Sequence, residues 1–422
     1  MSRVTTRPES NGRVRSGSLL AVAATLLAGC GDGRSVQPGI TELPVPAATG
    51  SAEPHLAPVP DGRLVLSWLE PTAGADTLLR YAILDSDEWS EPATIARGSD
   101  WFVNWADFPS VVPISSDTWA AHWLRKRDGG TYAYDIALSI SADGGATWEA
   151  PMSPHSDGTA TEHGFVSLFP DGGKIGALWL DGRAMTPDGT HDADGHGSDG
   201  AMTLRSAIIG PAASLERETL VDERVCDCCQ TDVALSGSVP VAVYRNRSED
   251  EIRDIYVARG HGDGWERGVP VATDRWQITA CPVNGPAIDA IGDTVGVAWF
   301  TAAGNRPTVK YAVSHDGGKH FETPVEIASG GTLGRVDVVV FEDGGAVVSH
   351  LDGADDGHAA IVLRRLRPDG TLDAPLIAAH TAAGRMSGFP QLAKHGRRLV
   401  LAWTDLEADT SSRVRAAAID MP

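Results

Sequence analysis

One short pattern recurs along the chain and restricts what it can fold into: a brief apolar run that closes on an aromatic residue or histidine. It reads "LVLSW" to Trp68, "AAHW" to Trp123, "IGALW" to Trp179, "VAVY" to Tyr244, "VGVAW" to Trp299, "AVVSH" to His350 and "LVLAW" to Trp403. Successive copies lie 55, 56, 65, 55, 51 and 53 residues apart, longer than a helical-hairpin repeat and suited to four short strands. A turn pair precedes each run, such as Asp61-Gly62, Asp171-Gly172 or Gly292-Asp293, and before each turn lies a further apolar segment such as "FPSVV" or "VDVVV". Residues that accept positive φ between two apolar segments close hairpins. No amphipathic helical period interrupts the pattern after residue 39.

The pattern therefore predicts an all-β propeller of seven four-stranded blades, with six blades and an irregular end as the alternative. The seventh copy ends after "RVRAAAID" without an outer strand, whereas "ITELPVPAA" near residues 39 to 49 reads like one. Closing the ring with that N-terminal strand removes the last open sheet edge.

Ahead of the repeats, Arg3, Arg7, Arg13 and Arg15 precede the apolar run "LLAVAATLLAG", which stops at Cys30. A basic start, a short apolar stretch and small residues form an export signal, too short for an ordinary membrane span. Leu27-Ala28-Gly29-Cys30 resembles a bacterial lipobox, which implies cleavage before Cys30 and lipidation of its sulfur. The expected organisation is a signal peptide at 1–29, a lipidated Cys30 with a tether at 30–38, and a propeller at 39–422. With Gly31 after the cysteine, the resemblance points to the outer membrane of the cell envelope. The formal charge of −21 becomes −24 when residues 1–29, which carry four Arg and Glu9, are removed. So acidic a surface argues against nucleic acid and anionic lipid headgroups as partners. A monomer anchored to the membrane through Cys30 is expected.

"SADGGATW", Ser141 to Trp148, fits the pattern S-x-D-x-G-x-T-W, and "SHDGGKHF", Ser314 to Phe321, is a weaker copy. These motifs resemble the Asp-box, or bacterial neuraminidase repeat, of sialidase-like propellers. In that family the Asp-box turns lie on one face. The blade-to-blade loops and those joining strands two and three lie on the other, where sialidases hold their active site. The resemblance implies a glycan ligand, bound by an envelope binding or assembly module or cleaved by an exo-acting glycoside hydrolase. It also implies three arginines on a substrate carboxylate, a tyrosine nucleophile paired with a glutamate, and an aspartate acid/base. No Phe/Tyr-Arg-Ile-Pro motif is present. Tyr244 stands beside Arg245 but fills the repeat's aromatic position, which favours packing.

That geometry sorts the candidates. Asp107 is the acid/base or sugar-binding candidate, against a solvated or capping aspartate. Trp101 and Trp105 flank it as ligand-binding aromatics, and Glu162 falls on the same face. Arg183, Arg245 and Arg247 suit a carboxylate or phosphate through bidentate contacts, against simple pairing with neighbouring acids. "VCDCCQ" places Cys226, Cys228 and Cys229 on the loop leading into the fourth blade, and Cys281 leads into the next.

Three readings of these cysteines stay open. Disulfides suit an exported chain, although pairing all four forces one bond within the crowded segment. Thiolates suit Cu(I) or Zn, with His191 or His196 from the loop "DGTHDADGHGSDG" completing the shell. Redox-active thiol chemistry needs a lowered pKa. The His- and Asp-rich loop is either a divalent-ion ligand set or a solvated insertion. No Gly-x-Ser-x-Gly elbow and no phosphate-cradling loop occur.

Overall fold

The computed structural model of the chain describes residues 39–185, 200–210, 212–354, 357–406 and 411–420. Each apolar run of the repeat is the second strand of an antiparallel sheet. There are seven such sheets in a ring, so the count is seven blades. Leu64–Pro71, Trp119–Lys126, Lys174–Asp181, Val239–Arg245, Thr294–Thr301, Ala346–Gly353 and Arg398–Leu406 occupy equivalent places. These strands lie between neighbouring blades and bury both faces, which is why they read as continuous apolar runs instead of alternating ones.

The closing aromatics are 0–6 % exposed from Trp68 to Trp403, His350 included. A buried indole or phenol usually finds a partner for its polar atom, as four of these rings do, whereas Trp123 and Trp403 bury Nε1 without one among the described residues. Trp68 Nε1 donates to Glu70 (3.0 Å), Trp179 Nε1 to Asp181 (2.8 Å) and Trp299 Nε1 to Asp274 (2.7 Å). Tyr244 Oη donates to Asp222 at 2.6 Å, so this tyrosine serves the repeat position.

The ring closes as the sequence predicts. Ile40–Leu43 pairs antiparallel with Ser412–Asp420, in a register that sets Ile40 opposite Ile419 and Leu43 opposite Ala416. The regular four-strand expectation fails at the second blade, whose outer strand shrinks to a bridge between Met152 and Leu138. Pro151 and Pro154 flank that bridge and have no N–H to extend a ladder.

Around the axis the innermost strands are tied blade to blade by aspartates. Asp232 accepts the Ile288 amide (2.9 Å), Asp289 that of Val340 (2.7 Å) and Asp337 that of Leu392 (2.6 Å). Each also accepts the amide of the residue that follows it. Burial pushes Asp232 up to about 6 and Asp337 up to about 8.

The Ser141–Trp148 and Ser314–Phe321 turns lie at the other end of the blades from the strand-two-to-three loops, because successive strands alternate direction. Asp143 accepts the Thr147 amide and hydroxyl at 2.8 and 2.6 Å, and Ser141 Oγ accepts the Gly145 amide at 2.9 Å. In the second turn the His320 amide (2.9 Å) and Nδ1 (2.7 Å) meet Asp316, so histidine replaces threonine without loss of a contact. Gly145 sits at φ +92, where a Cβ would meet Tyr81 Oη and Trp119 at about 3 Å; only glycine fits. These aspartates are occupied in holding turns.

Candidate functional site

On the face that carries the strand-two-to-three loops, a cavity of about 400 Å³ opens near the second, third and fourth blades. That volume suits a small organic ligand, whereas the axial channel of about 110 Å³ is too narrow for one. Tyr132, 48 % exposed, lies at the rim of the larger cavity. Phe102 stacks on Tyr134 at 4.1 Å and meets Tyr132 edge-on at 6.3 Å. Trp105 also lines it, backed by Phe389 (5.8 Å) and by the Arg335 guanidinium 5.0 Å from its ring centre.

The floor is a carboxyl, a phenol and a carboxyl from three segments. Tyr134 begins the third strand of the second blade, and Glu162 immediately precedes the first strand of the third blade. Tyr134 and Glu162 are neighbours in a parallel bridge, and the fully buried His163 sets its Nδ1 3.2 Å from the Tyr134 carbonyl. Asp107, 3 % exposed, comes from the loop before the second blade. Tyr134 Oη lies 2.9 Å from Asp107 Oδ2 and 2.7 Å from Glu162 Oε1. A hydroxyl has one hydrogen, and an ionised carboxylate has none to give. Both contacts are hydrogen bonds only if one carboxyl carries a proton.

The surroundings assign that proton to Glu162. Asp107 Oδ1 accepts the Phe165 amide at 2.7 Å, an arrangement that favours its carboxylate. Burial pushes Glu162 up to about 8, with Asp107 and Asp227 adding repulsion. Burial raises Asp107 to about 7, and the bonds from Phe165 and Tyr134 hold it from rising further. Behind them Glu53 is raised to about 8 by burial and by the charge of Asp107. Tyr134 itself is pushed well above the usual tyrosine range by burial and by both acids, so it stays a neutral phenol.

The other sequence candidates separate. Trp101 is 6 % exposed and packs on Trp123 at 5.5 Å between the first two blades; its ring fills the core and leaves no face for a ligand. Arg183 makes two 2.7 Å bonds to Asp181 and pairs with Asp157 (3.2 Å) and Glu218 (2.6 Å). Arg245 is 2 % exposed, donates to the carbonyls of Asn284, Arg253 and Phe300, and stacks on Trp276. Arg247 grips Glu251 and Asp227. All three guanidiniums are held within the protein, Arg183 and Arg247 by carboxylates and Arg245 by buried backbone carbonyls. Among the described residues Arg385 is the arginine that lines the cavity. Cys30, His191 and His196 lie outside the described residues.

The cysteines converge at the cavity wall. Cys226 and Cys229 are buried, with sulfurs 3.3 Å apart, and Cys228 is 3.9 Å from Cys226. Cys228 and the exposed Cys281 both line the cavity. Burial pushes Cys226 up to about 11. Burial also acts on Cys229, but bonds from Cys226 and Cys228 and the charge of Arg245 outweigh it and hold that thiol well below its ordinary range.

Tyr134 is the residue that sequence reasoning passed over. Its signal was faint: it is the first residue of "YDIALSIS", the point at which a third strand leaves the ligand-bearing face.

No family model matches the chain, and no curated protein matches it by sequence. Solved structures do resemble it. A protein of unknown function from Dyadobacter fermentans aligns at a TM-score of 0.55 and 13 % identity, over 91 % of this chain and 100 % of that one. A puromycin-hydrolyzing peptidase from Mycobacterium tuberculosis aligns at 0.50 and 11 %, over 90 % of this chain and 54 % of that one. A Hadza microbial sialidase aligns at 0.44 and 13 %, over 72 % and 63 %. The likeness is one of fold. The chain is a seven-bladed β-propeller. What it does has to be argued from its own cavity.

Proposed function

We propose that this propeller hydrolyses glycosides, taking a sugar residue into the 400 Å³ cavity and protonating the departing glycosidic oxygen from Glu162 while a water bonds to the anomeric carbon and releases its proton to solvent. The observation that carries the proposal is the doubly bonded Tyr134 hydroxyl, which requires a protonated carboxyl at the cavity floor. A general acid needs a proton to give at neutral pH, and a carboxyl raised to about 8 has one. Glu162 is half-buried at the cavity, whereas Tyr134 is fully buried, so the glutamate is the group within reach of a ligand. Tyr134 holds the acid in place, and when the Glu162 proton leaves, the hydroxyl turns its hydrogen from Asp107 to the Glu162 carboxylate left behind. The exposed ring of Tyr132 offers an apolar face to the sugar's C–H groups, and Arg385 offers a bidentate partner to an acidic substituent. The reading includes export and a lipid anchor at Cys30, supported by the basic, apolar and lipobox segments of the N-terminus.

A panel of fluorogenic glycosides, sialosides included, tests the proposal. Turnover of at least one member is expected, with Glu162→Gln slowing it by roughly 10²–10⁴-fold while leaving binding of that glycoside intact. Wild-type rates in the Gln variant would sink the assignment. A wild-type protein that neither binds nor cleaves any member would sink the whole reading.

A further inference from the structure

The glycoside reading makes no use of the three crowded cysteines, and their geometry has a consequence of its own. The Cys226, Cys228 and Cys229 sulfurs lie within 4.8 Å of one another. Four thiolates around a tetrahedral ion at Zn–S distances of ~2.3 Å stand about 3.8 Å apart. The separations here are 3.9 Å for Cys226 to Cys228 and 3.3 Å for Cys226 to Cys229. Cys281, on the loop leading into the next blade, is exposed and lines the same cavity as Cys228, outside the tight group of three, so it would close the shell by turning toward the ion.

Charge points the same way. Arg253 is 0 % exposed and sets Nη1 3.3 Å from Cys226 Sγ. Arg253 pairs with Glu251 at 2.9 Å through Nη2, and its Nη1 is directed at Cys226 Sγ, where a donor bonds a thiolate more strongly than a thiol. Beside an ion ligated by several thiolates, whose complex is net negative, the same guanidinium is a neutralising partner. Arg245, also buried, lies close enough for its charge to act on Cys229.

We propose that Cys226, Cys228, Cys229 and Cys281 form a binding site for one thiophilic d¹⁰ ion, Zn(II) or Cu(I), which clips together the loops leading into the fourth and fifth blades. Sulfur donors select such ions over Mg²⁺ and Ca²⁺. Each thiol that coordinates gives its S–H proton to solvent, and no electron is transferred. A site closed by four protein ligands is structural, so it supports the cavity wall and takes no part in proton transfer to a glycoside. It is independent of the glycoside reading.

The test uses the mature chain, residues 30–422 with Cys30 replaced by Ser, purified anaerobically with its thiols reduced. It is titrated separately with Zn(II) and with buffered Cu(I), then desalted and analysed for metal. One equivalent of at least one ion should remain bound. Cys226→Ser/Cys229→Ser should abolish retention with the β-sheet circular dichroism unchanged, and Arg253→Met should weaken affinity by roughly 10–100-fold. Because a variant could fail to fold, Co(II) substitution of the unmutated protein supplies a second readout: near-ultraviolet sulfur-to-metal charge-transfer bands are expected. Absence of bound metal in both titrations overturns the proposal, as does undiminished binding in the double variant or a Co(II) spectrum without thiolate bands. Two disulfides in protein trapped with a thiol-blocking reagent directly from the periplasm would overturn it as well.

Discussion

Replacing Tyr134 by Phe removes a single oxygen from the protein, and the structure allows its consequences to be worked out. The aromatic ring remains stacked on Phe102, so packing is conserved. Asp107 Oδ2 and Glu162 Oε1 each lose a partner, and a buried polar atom left without one costs about 1–3 kcal/mol. Glu162 is half-buried and keeps access to water, so it contributes the smaller share and the expected destabilisation is about 2–4 kcal/mol. For a folded region of roughly 380 residues the unfolding entropy is about 0.8 kcal/mol/K, so Tm should fall by about 3–5 °C. A protonation equilibrium should move as well. Donation from the Tyr134 hydroxyl favours the ionised form of Asp107, so its loss raises that acid above its wild-type value of about 7. Thermal melts and infrared difference spectra of the protonated-carboxyl stretch, followed from pH 5 to 10, read both effects. If Tyr134→Phe melts with the wild type, or its Asp107 midpoint stays put or moves down, the shared proton is not where the geometry assigns it.

Two further outcomes follow from groups described above. Glu53, Asp107, Glu162 and Asp337 are raised to about 7–8 from unfolded values near 4, so their contribution to stability is present below pH ~4 and is lost as pH climbs toward 8. His55, His122 and His155 are lowered to about 4, 3 and 4, so theirs is present above pH ~6.5 and lost on acidification. Between pH 6.5 and 8.5 the four acids lower stability as pH rises and outnumber Cys229, whose depressed thiol acts the other way, so Tm should decline with rising pH; a flat or rising Tm in that window would contradict their burial. Asp337→Ala leaves the Val338 and Leu392 amides without their acceptor and should cost about 2–4 kcal/mol by denaturant unfolding, well beyond the roughly 0.5 kcal/mol of a neutral substitution.

The blade period was legible because each second strand must be apolar on both faces and end on a large ring, and no other arrangement explains Trp68 through Trp403 at such spacing. Cys281 could be set beside the 226–229 segment because both loops lead into adjacent blades. The arginines were not legible. Arg183, Arg245 and Arg247 carry the same side chain as a substrate clamp, and only the carboxylates and carbonyls around them show that they are held within the protein. Trp101 and Trp105 lie four residues apart, yet one is core and the other lines the cavity.

Local chemistry repeated along the chain therefore determined the architecture: strand, turn, strand and ring, with Ile40–Leu43 supplying the edge that Ser412–Asp420 lacked. The functional floor belongs to the tertiary structure alone. Asp107, Tyr134 and Glu162 come from three segments that meet only when the second and third blades pack. The proton they share arises from that meeting, because burial and mutual repulsion, absent in the extended chain, set which of them stays protonated.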